Sequence, residues 1–240
     1  MAATAIVPVL SEAQFNIEAS TVAPDITGPS VHVSLPLEDT HDDSQNFLVV
    51  SPYEEVPHLL DLRTLDTNNQ LLARALVGLK CLRDDYATAR YVDIFNWAEV
   101  VEDVRQLATA SKRNFKEASY FIVVFRSRIP PETKYEDLGV LDKAAHAEAT
   151  KSGGFLKSGL PILVLYSTDM DRYWFGSPDG EGRNLATCVW RSQEDARVGS
   201  IGEAHKRAAG ATRMLYTEWR IERLKLKIKD GATAWEMTEW

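Results

Sequence analysis

The spacing of apolar residues changes period several times along the chain. In Asn69–Arg83, Leu72, Ala75, Leu76, Leu79 and Leu82 recur at three and four, which places them on one helical face. Arg90–Phe95 is short and β-prone. A second helix is expected from Asn96, an acceptable N-cap, with Glu99 where a capping-box acid reaches back. Its apolar stripe is Trp97, Val100, Val101, Val104 and Leu107. These segments predict a helical layer within residues 46–118 that covers a main domain.

The pattern then turns to strands. Tyr120–Phe125 is a continuous apolar run rich in β-branched and aromatic residues, ended by Pro130-Pro131, and reads as a buried central strand. Tyr135–Lys151 is helical in composition, with Leu138, Leu141, Ala145 and Ala149 aligned, and Ser152-Gly153-Gly154 stops it. Phe155–Lys157 and Tyr173–Gly176 are strand-like. Pro178-Asp179-Gly180-Glu181-Gly182 has turn chemistry, with Asp-Gly suited to the positive φ of a tight hairpin, and Leu185–Arg191 is the returning strand. Ile201, His205, Ala208, Thr212, Leu215 and Trp219 share one helical face. The period finally becomes two, with Leu224, Leu226 and Ile228 inward and Lys225, Lys227 and Lys229 outward.

In order these are strand, helix, strand, hairpin, strand, helix, strand. The fold class expected is α+β: a ferredoxin-like β-α-β-β-α-β antiparallel sheet over residues 119–231, with both helices on one face. The other face needs a cover, either the N-terminal helices or the sheet of a partner in a homodimer. Residues 232–240 are expected to form a C-terminal tail.

Composition narrows the picture. With 45% hydrophobic and 26% charged residues the chain can build a real core. Its net charge of −8 is uneven, because residues 1–62 hold ten acidic groups and no Lys or Arg. Residues 1–45 show no sustained period and read as a mostly disordered acidic leader, with one extended piece near Val31–Leu37 docking on the domain. From Arg63 onward, 27 basic residues face 25 acidic ones. A neutral domain behind an acidic leader lacks the basic stripe that a polyanion requires, so no nucleic-acid partner is expected. No apolar run is long enough to span a bilayer, and the opening lacks the basic start of a secretory signal, so no membrane partner is expected. Two cysteines, Cys81 and Cys188, make no disulfide framework and have no ligand spacing. A reducing compartment follows, and the chain is expected to be cytoplasmic, with the nucleus as the other reducing location.

Two long runs carry a resemblance: "YFIVVFRSRIPPETKYEDLGVLDKAAHAEATKSGGFLK" and "YWFGSPDGEGRNLATCVWRSQEDARVGSIGEAHKRAAGATRMLYTEWRIERLKL". On these the stretch Ser119–Gly231 resembles an uncharacterised family of conserved proteins from filamentous fungi, which implies no assigned activity. In that family "GGFLK" runs directly into "YWFG", whereas here Ser158–Arg172, "SGLPILVLYSTDMDR", separates them. The segment reads as a retained intron translated in frame, with a true loop as the alternative, and deleting it is expected to leave stability intact or raised. By element order alone, the domain also looks like the dimeric α+β barrel group, which includes small monooxygenases, cyclases and decarboxylases.

His205 lies on the apolar stripe of the last helix, where a partly buried imidazole can act as acid or base. The alternative is a structural histidine hydrogen-bonded to a carbonyl. His146, at the border of the other helix's apolar face, is expected at the surface, though the two histidines could line one cleft as catalytic residues. They have no third partner at a recognisable spacing, so no metal site is expected. Tyr173, Trp190 and Trp219, with Trp174 and Phe175, are core residues or the wall of a small-molecule pocket. Arg126 and Arg191, at strand ends, are candidate anchors for an acidic ligand, with simple exposure to solvent as the alternative. No motif calls for a cofactor, and none is expected. The function expected is a cofactor-independent small-molecule enzyme of the cyclase, isomerase, monooxygenase or decarboxylase type, working in a sheet–helix cleft. The alternative is a non-catalytic binding or assembly module with an acidic arm.

Overall fold

The structure is a computed structural model that describes residues 43–159 and 178–240. The expected leader up to residue 42, its Val31–Leu37 piece, residues 160–172 of the expected insertion, and the expected strand at 173–176 with Tyr173, Trp174 and Phe175 lie outside the described residues. The elements are β1 (Phe47–Val49), β2 (Leu59–Asp61), α1 (Thr67–Ala75), α2 (Tyr91–Ile94), α3 (Trp97–Ala110), β3 (Ala118–Arg128), α4 (Tyr135–Ser152), β4 (Phe155–Gly159), β5 (Arg183–Trp190), α5 (Gln193–Gly199), α6 (Glu203–Leu215), β6 (Glu218–Ile228) and β7 (Trp235–Glu239). The architecture is mixed helix and sheet, with antiparallel pairing throughout the described strands.

The main sheet runs β4-β5-β3-β6-β7. Its centre is β3, and the register shows why the run Tyr120–Phe125 is apolar at every position. Residues directly opposite one another share a face, so Tyr120, Ile122, Val124 and Arg126 point the same way as Leu226, Leu224, Thr187 and Leu185. That face is covered by the chain's own N-terminal layer: the Tyr91 hydroxyl lies 2.7 Å from Thr187 Oγ1, and Tyr120, Ile122, Val124 and Leu226 are buried. Phe121, Val123 and Phe125 point to the opposite face with Trp190, Cys188 and Ala186, under α4, α5 and α6. A strand buried on both sides has no room for alternation. Of the two covers considered for the first face, the N-terminal helices supply it.

The N-terminal layer differs from the pattern reading in three places. It contains the β1–β2 hairpin as well as helices. The first helix, capped by Asp66 accepting from Asn69 N at 3.0 Å, ends at Ala75 and closes with a short 3-10 turn through Gly78. Leu82 is consequently exposed. Asn96 explains the break: its Oδ1 accepts from Lys80 N at 2.7 Å, and its Nδ2 donates to Gly78 O and Glu99 Oε2. It therefore binds the preceding loop and does not cap α3 through its side chain. Arg90–Phe95 forms the single helical turn α2, because burying Tyr91 and Ile94 outweighs the β propensity of so short a piece. The α3 stripe Trp97, Val100, Val101 and Val104 is buried as its spacing predicts.

In the C-terminal half, α5 precedes α6, so Ile201 falls between two helices and is exposed. Trp219 belongs to β6 and not to the last helix. Residues 235–239, expected as part of a tail, form β7 against β6. Leu226 and Ile228 are buried, while Leu224 and the alternate lysines are only partly so. In the turn before β5, Asp179 accepts from the amides of Glu181 and Arg183, each at 2.9 Å. The positive φ falls at Gly182 (φ +76) and not at Gly180, because Gly182 O takes the Ile129 amide at 2.7 Å and a Cβ there would lie 2.5 Å from Ile129 O. Ser158 and Gly159, assigned to the expected insertion, continue β4 opposite Cys188 and Thr187. The Ser158 amide donates to Val50 O at 2.9 Å. Among the described residues no helix is long and apolar enough to cross a membrane.

Candidate functional site

Helix α4 carries a polar row beside its apolar one. Asp142, His146 and Thr150 recur at intervals of four and so share a face. The loop between β1 and β2 meets that row with Tyr53 and His58, both buried. The Tyr53 hydroxyl donates to Asp142 Oδ2 at 2.6 Å, and His58 Nδ1 lies 2.9 Å from His146 Nδ1. Ring centroids fall 4.7 Å apart for Tyr53 and His58, and 5.3 Å apart for Tyr53 and His146. Phe155 closes the floor, edge-on to His146 at 5.0 Å and packed in turn on Trp190. At the rim, Lys143 pairs with Glu55 and lies over the Tyr53 ring.

Burial dominates the electrostatics. It raises the Asp142 carboxyl above the ordinary carboxylate range, opposed by the Tyr53 hydrogen bond and by positive charge on His205. The Tyr53 hydroxyl is raised by burial and then by the Asp142 charge. Burial, then the charges of His58 and His205, pushes His146 down to about 3. The Cys188 thiol on β5 and the Tyr216 hydroxyl beyond α6 are both pushed up to about 12, by burial first and by Asp142 second. Asp142 is thus a carboxyl group ringed by groups that keep their protons. His146 Nε2 is buried without a hydrogen-bond partner among the described residues.

The residues expected from sequence are scattered relative to this cluster. His146, expected at the surface, is only 6% exposed, because the 53–58 loop covers the polar border of its helix. His205 sits in the first turn of α6, partly buried, with Nδ1 3.3 Å from Glu148 Oε2. The same carboxylate accepts from the amides of Ala204 and His205, so it caps the helix. His205 thus meets a carboxylate where the structural alternative had a backbone carbonyl. No hydrogen bond joins His205 to His146 among the described residues. Trp190 is core, wedged against Gly199, where a Cβ would lie 2.3 Å from its ring. Arg191 is held by Asp195 through Nε at 3.0 Å and Nη2 at 2.6 Å.

Arg126 and Trp219 do come together, at a different place. They line a cavity of about 320 Å³ with Ala87, Thr88, Ser127, Arg128, Arg183, Glu218 and Arg220. Arg126 is not the exposed anchor that a strand end implies. Its guanidinium is buried and donates to the carbonyls of Tyr86, Ala87 and Ala89 and to Glu222. Trp219 is 48% exposed and stacks on Phe125 at 6.3 Å. Tyr53, His58, Asp142 and Tyr216 are absent from the sequence reading. The one available signal was the four-residue spacing of Asp142, His146 and Thr150. Among the described residues no group of three or more His, Cys, Asp or Glu could hold a metal ion.

Residues 49–239 match the model of the PB2B2.08-like family, and the chain belongs to that family. The UPF0643 protein PB2B2.08 of Schizosaccharomyces pombe is 35% identical over 198 residues, covering 79% of this chain and 82% of that protein. Among solved structures, SnoaB, a cofactor-independent oxygenase from Streptomyces nogalater, aligns at 17% identity and a TM-score of 0.31, over 43% of this chain and 91% of its own. Rv0793 from Mycobacterium tuberculosis aligns at 14% identity and a TM-score of 0.33, again over 43% and 91%. At TM-scores of this size neither likeness carries weight for fold or activity.

Proposed function

We propose that this member of the PB2B2.08-like family is a cofactor-independent small-molecule enzyme whose central step is a proton transfer at Asp142. We read β4-β5-β3-β6, with α4 and α6 on one face, as the ferredoxin-like arrangement, and the Asp142 cluster as lying between that sheet and its helices. The observation that carries the proposal is the carboxyl itself. Asp142 is raised by burial and bound at 2.6 Å to a hydroxyl that keeps its proton. A carboxylate moved toward neutrality is an efficient general base, and protonated neighbours such as Tyr53 and Tyr216 can donate to charge that develops on a substrate oxygen. Removal of a proton next to a carbonyl, with its return at another atom, fits this set and corresponds to an isomerase or cyclase type of reaction. His146, held neutral, and His205, through its charge, tune the cluster; neither needs to contact the reacting atoms.

The second reading is a non-catalytic assembly module. It is favoured by the way Tyr53–Asp142 and His58–His146 fasten the N-terminal loop to α4, which a purely structural network would also do. Untargeted metabolite comparison separates the two, using a strain that lacks the gene and one that carries Asp142→Asn at normal protein abundance. The enzyme reading expects both strains to accumulate the same metabolite. If the substituted strain matches its parent while the deletion does not, Asp142 is structural and the enzyme reading fails.

A further inference from the structure

We propose that the cavity beside Arg126 is a binding site for a small anion bearing a carboxylate or phosphate group, separate from the Asp142 cluster. Two pairs of like charge face each other directly across strands here: Arg126 opposite Arg220, and Arg128 opposite Arg183. Like charges in such positions are unfavourable unless something of opposite sign lies between them. Four of the nine lining residues are arginine, and one, Glu218, is acidic.

The acidic groups that now answer these arginines are of two kinds. Glu222 is the built-in one, 28% exposed, with one oxygen 2.7 Å from Arg126 Nε and 2.9 Å from Arg220 Nη2. Arg126 is locked on three backbone carbonyls as well, so it forms a rigid floor. Glu218 and Glu181 are the loose ones, 68% and 60% exposed, paired with Arg128 and Arg183 that are themselves 42% and 38% exposed, although Asp179, 23% exposed, also holds Arg183 through Nε at 2.8 Å. Exposed pairs of this kind hold weakly and give way to a competing anion. Arg220, 65% exposed, has Glu222 as its one ion-pair partner among the described residues, which leaves other N–H groups free to donate. Guanidinium forks match carboxylate and phosphate oxygens in pairs. A volume of about 320 Å³ suits a molecule of small size.

Isothermal titration of the whole protein with inorganic phosphate, and separately with succinate, tests this, with sodium chloride holding ionic strength constant. The expected result is saturable binding of at least one probe, and which of the two binds distinguishes a phosphate from a dicarboxylate ligand. Binding should weaken tenfold or more in Arg220→Gln and be abolished in Thr88→Glu, which places a carboxylate in the mouth without removing an arginine. Arg197→Gln, at an exposed residue paired with Glu194 outside the cavity, should bind as the parent does. Circular dichroism checks that each variant is folded. Should Arg220→Gln lower the melting temperature, Thr88→Glu alone decides. No saturable heat with either probe, or unchanged binding in a folded Thr88→Glu protein, overturns the proposal.

Discussion

His58 and His146 bring their Nδ1 atoms within 2.9 Å of each other, so only one of the two rings can carry a proton at that position. The pair is a neutral hydrogen bond between imidazoles, and a second proton would set two positive charges in contact inside the protein. Burial lowers both histidines, His146 to about 3.

The unfolded chain binds a proton at His146 below about pH 6.5, and the folded chain does so only near 3. Stability is therefore fully present above 6.5 and falls as pH drops toward 3, with His146 alone removing about 2 kcal/mol by pH 5. Urea unfolding at pH 7.5 and pH 5.0 measures this loss. His146→Gln should remove most of the difference between the two pH values; an unchanged difference would show that His146 is not held neutral.

Asp142 has the opposite sign. Its folded carboxyl is raised, so the fold prefers the protonated form and loses stability as pH rises from the unfolded value of about 3.8 through the folded one. Asn at this position can still accept from the Tyr53 hydroxyl and carries no charge to desolvate. Asp142→Asn should melt no lower than the parent at pH 7.5 while any activity is lost. Scanning calorimetry of both proteins is the check, and a large drop in melting temperature would count against a carboxyl raised by burial.

Arg126 binds three carbonyls of the loop around Tyr86–Ala89 as well as Glu222. Arg126→Ala leaves Glu222 without its buried partner and the carbonyls unpaired, at a cost of about 3–5 kcal/mol. Denaturant midpoints report the loss, and hydrogen exchange should show faster opening of residues 86–89 in particular.

Gly199 lets α5 approach the Trp190 ring more closely than any other residue allows. Gly199→Ala should cost about 1–3 kcal/mol by forcing the helix or the indole to move. Trp190 is one of six tryptophans, so a fluorescence change is best read against a Trp190→Phe background.

How much of this is legible in the sequence depends on the range of the contact. The β3 strand, the α3 stripe and the alternation of Leu224, Leu226 and Ile228 are local patterns, and each states which way its side chains point. The Tyr53–Asp142 and His58–His146 contacts join residues 89 and 88 positions apart. Nothing periodic in the loop between β1 and β2 announces them. The end of α1 is equally hidden, because it depends on Asn96 reaching back to Gly78 and Lys80. Trp219 is misplaced for a different reason. Its spacing from Leu215 fits a helix, but the chain leaves the helix at Tyr216, and spacing alone cannot register that exit.

Strand β7 and the Val50–Ser158 hydrogen bond sit at the two margins of the main sheet. A strand margin with free amides and carbonyls is a template on which another chain can add. Val50 occupies one such amide on β4. On the far side β7 shields β6, whose alternating leucines and lysines would otherwise invite pairing, and it presents Glu236 and Glu239 in their place. A chain shortened to residue 234 should therefore fold around the same core yet self-associate. Light scattering on warming would reveal it, and the last strand would in that sense act as a guard on the sheet margin.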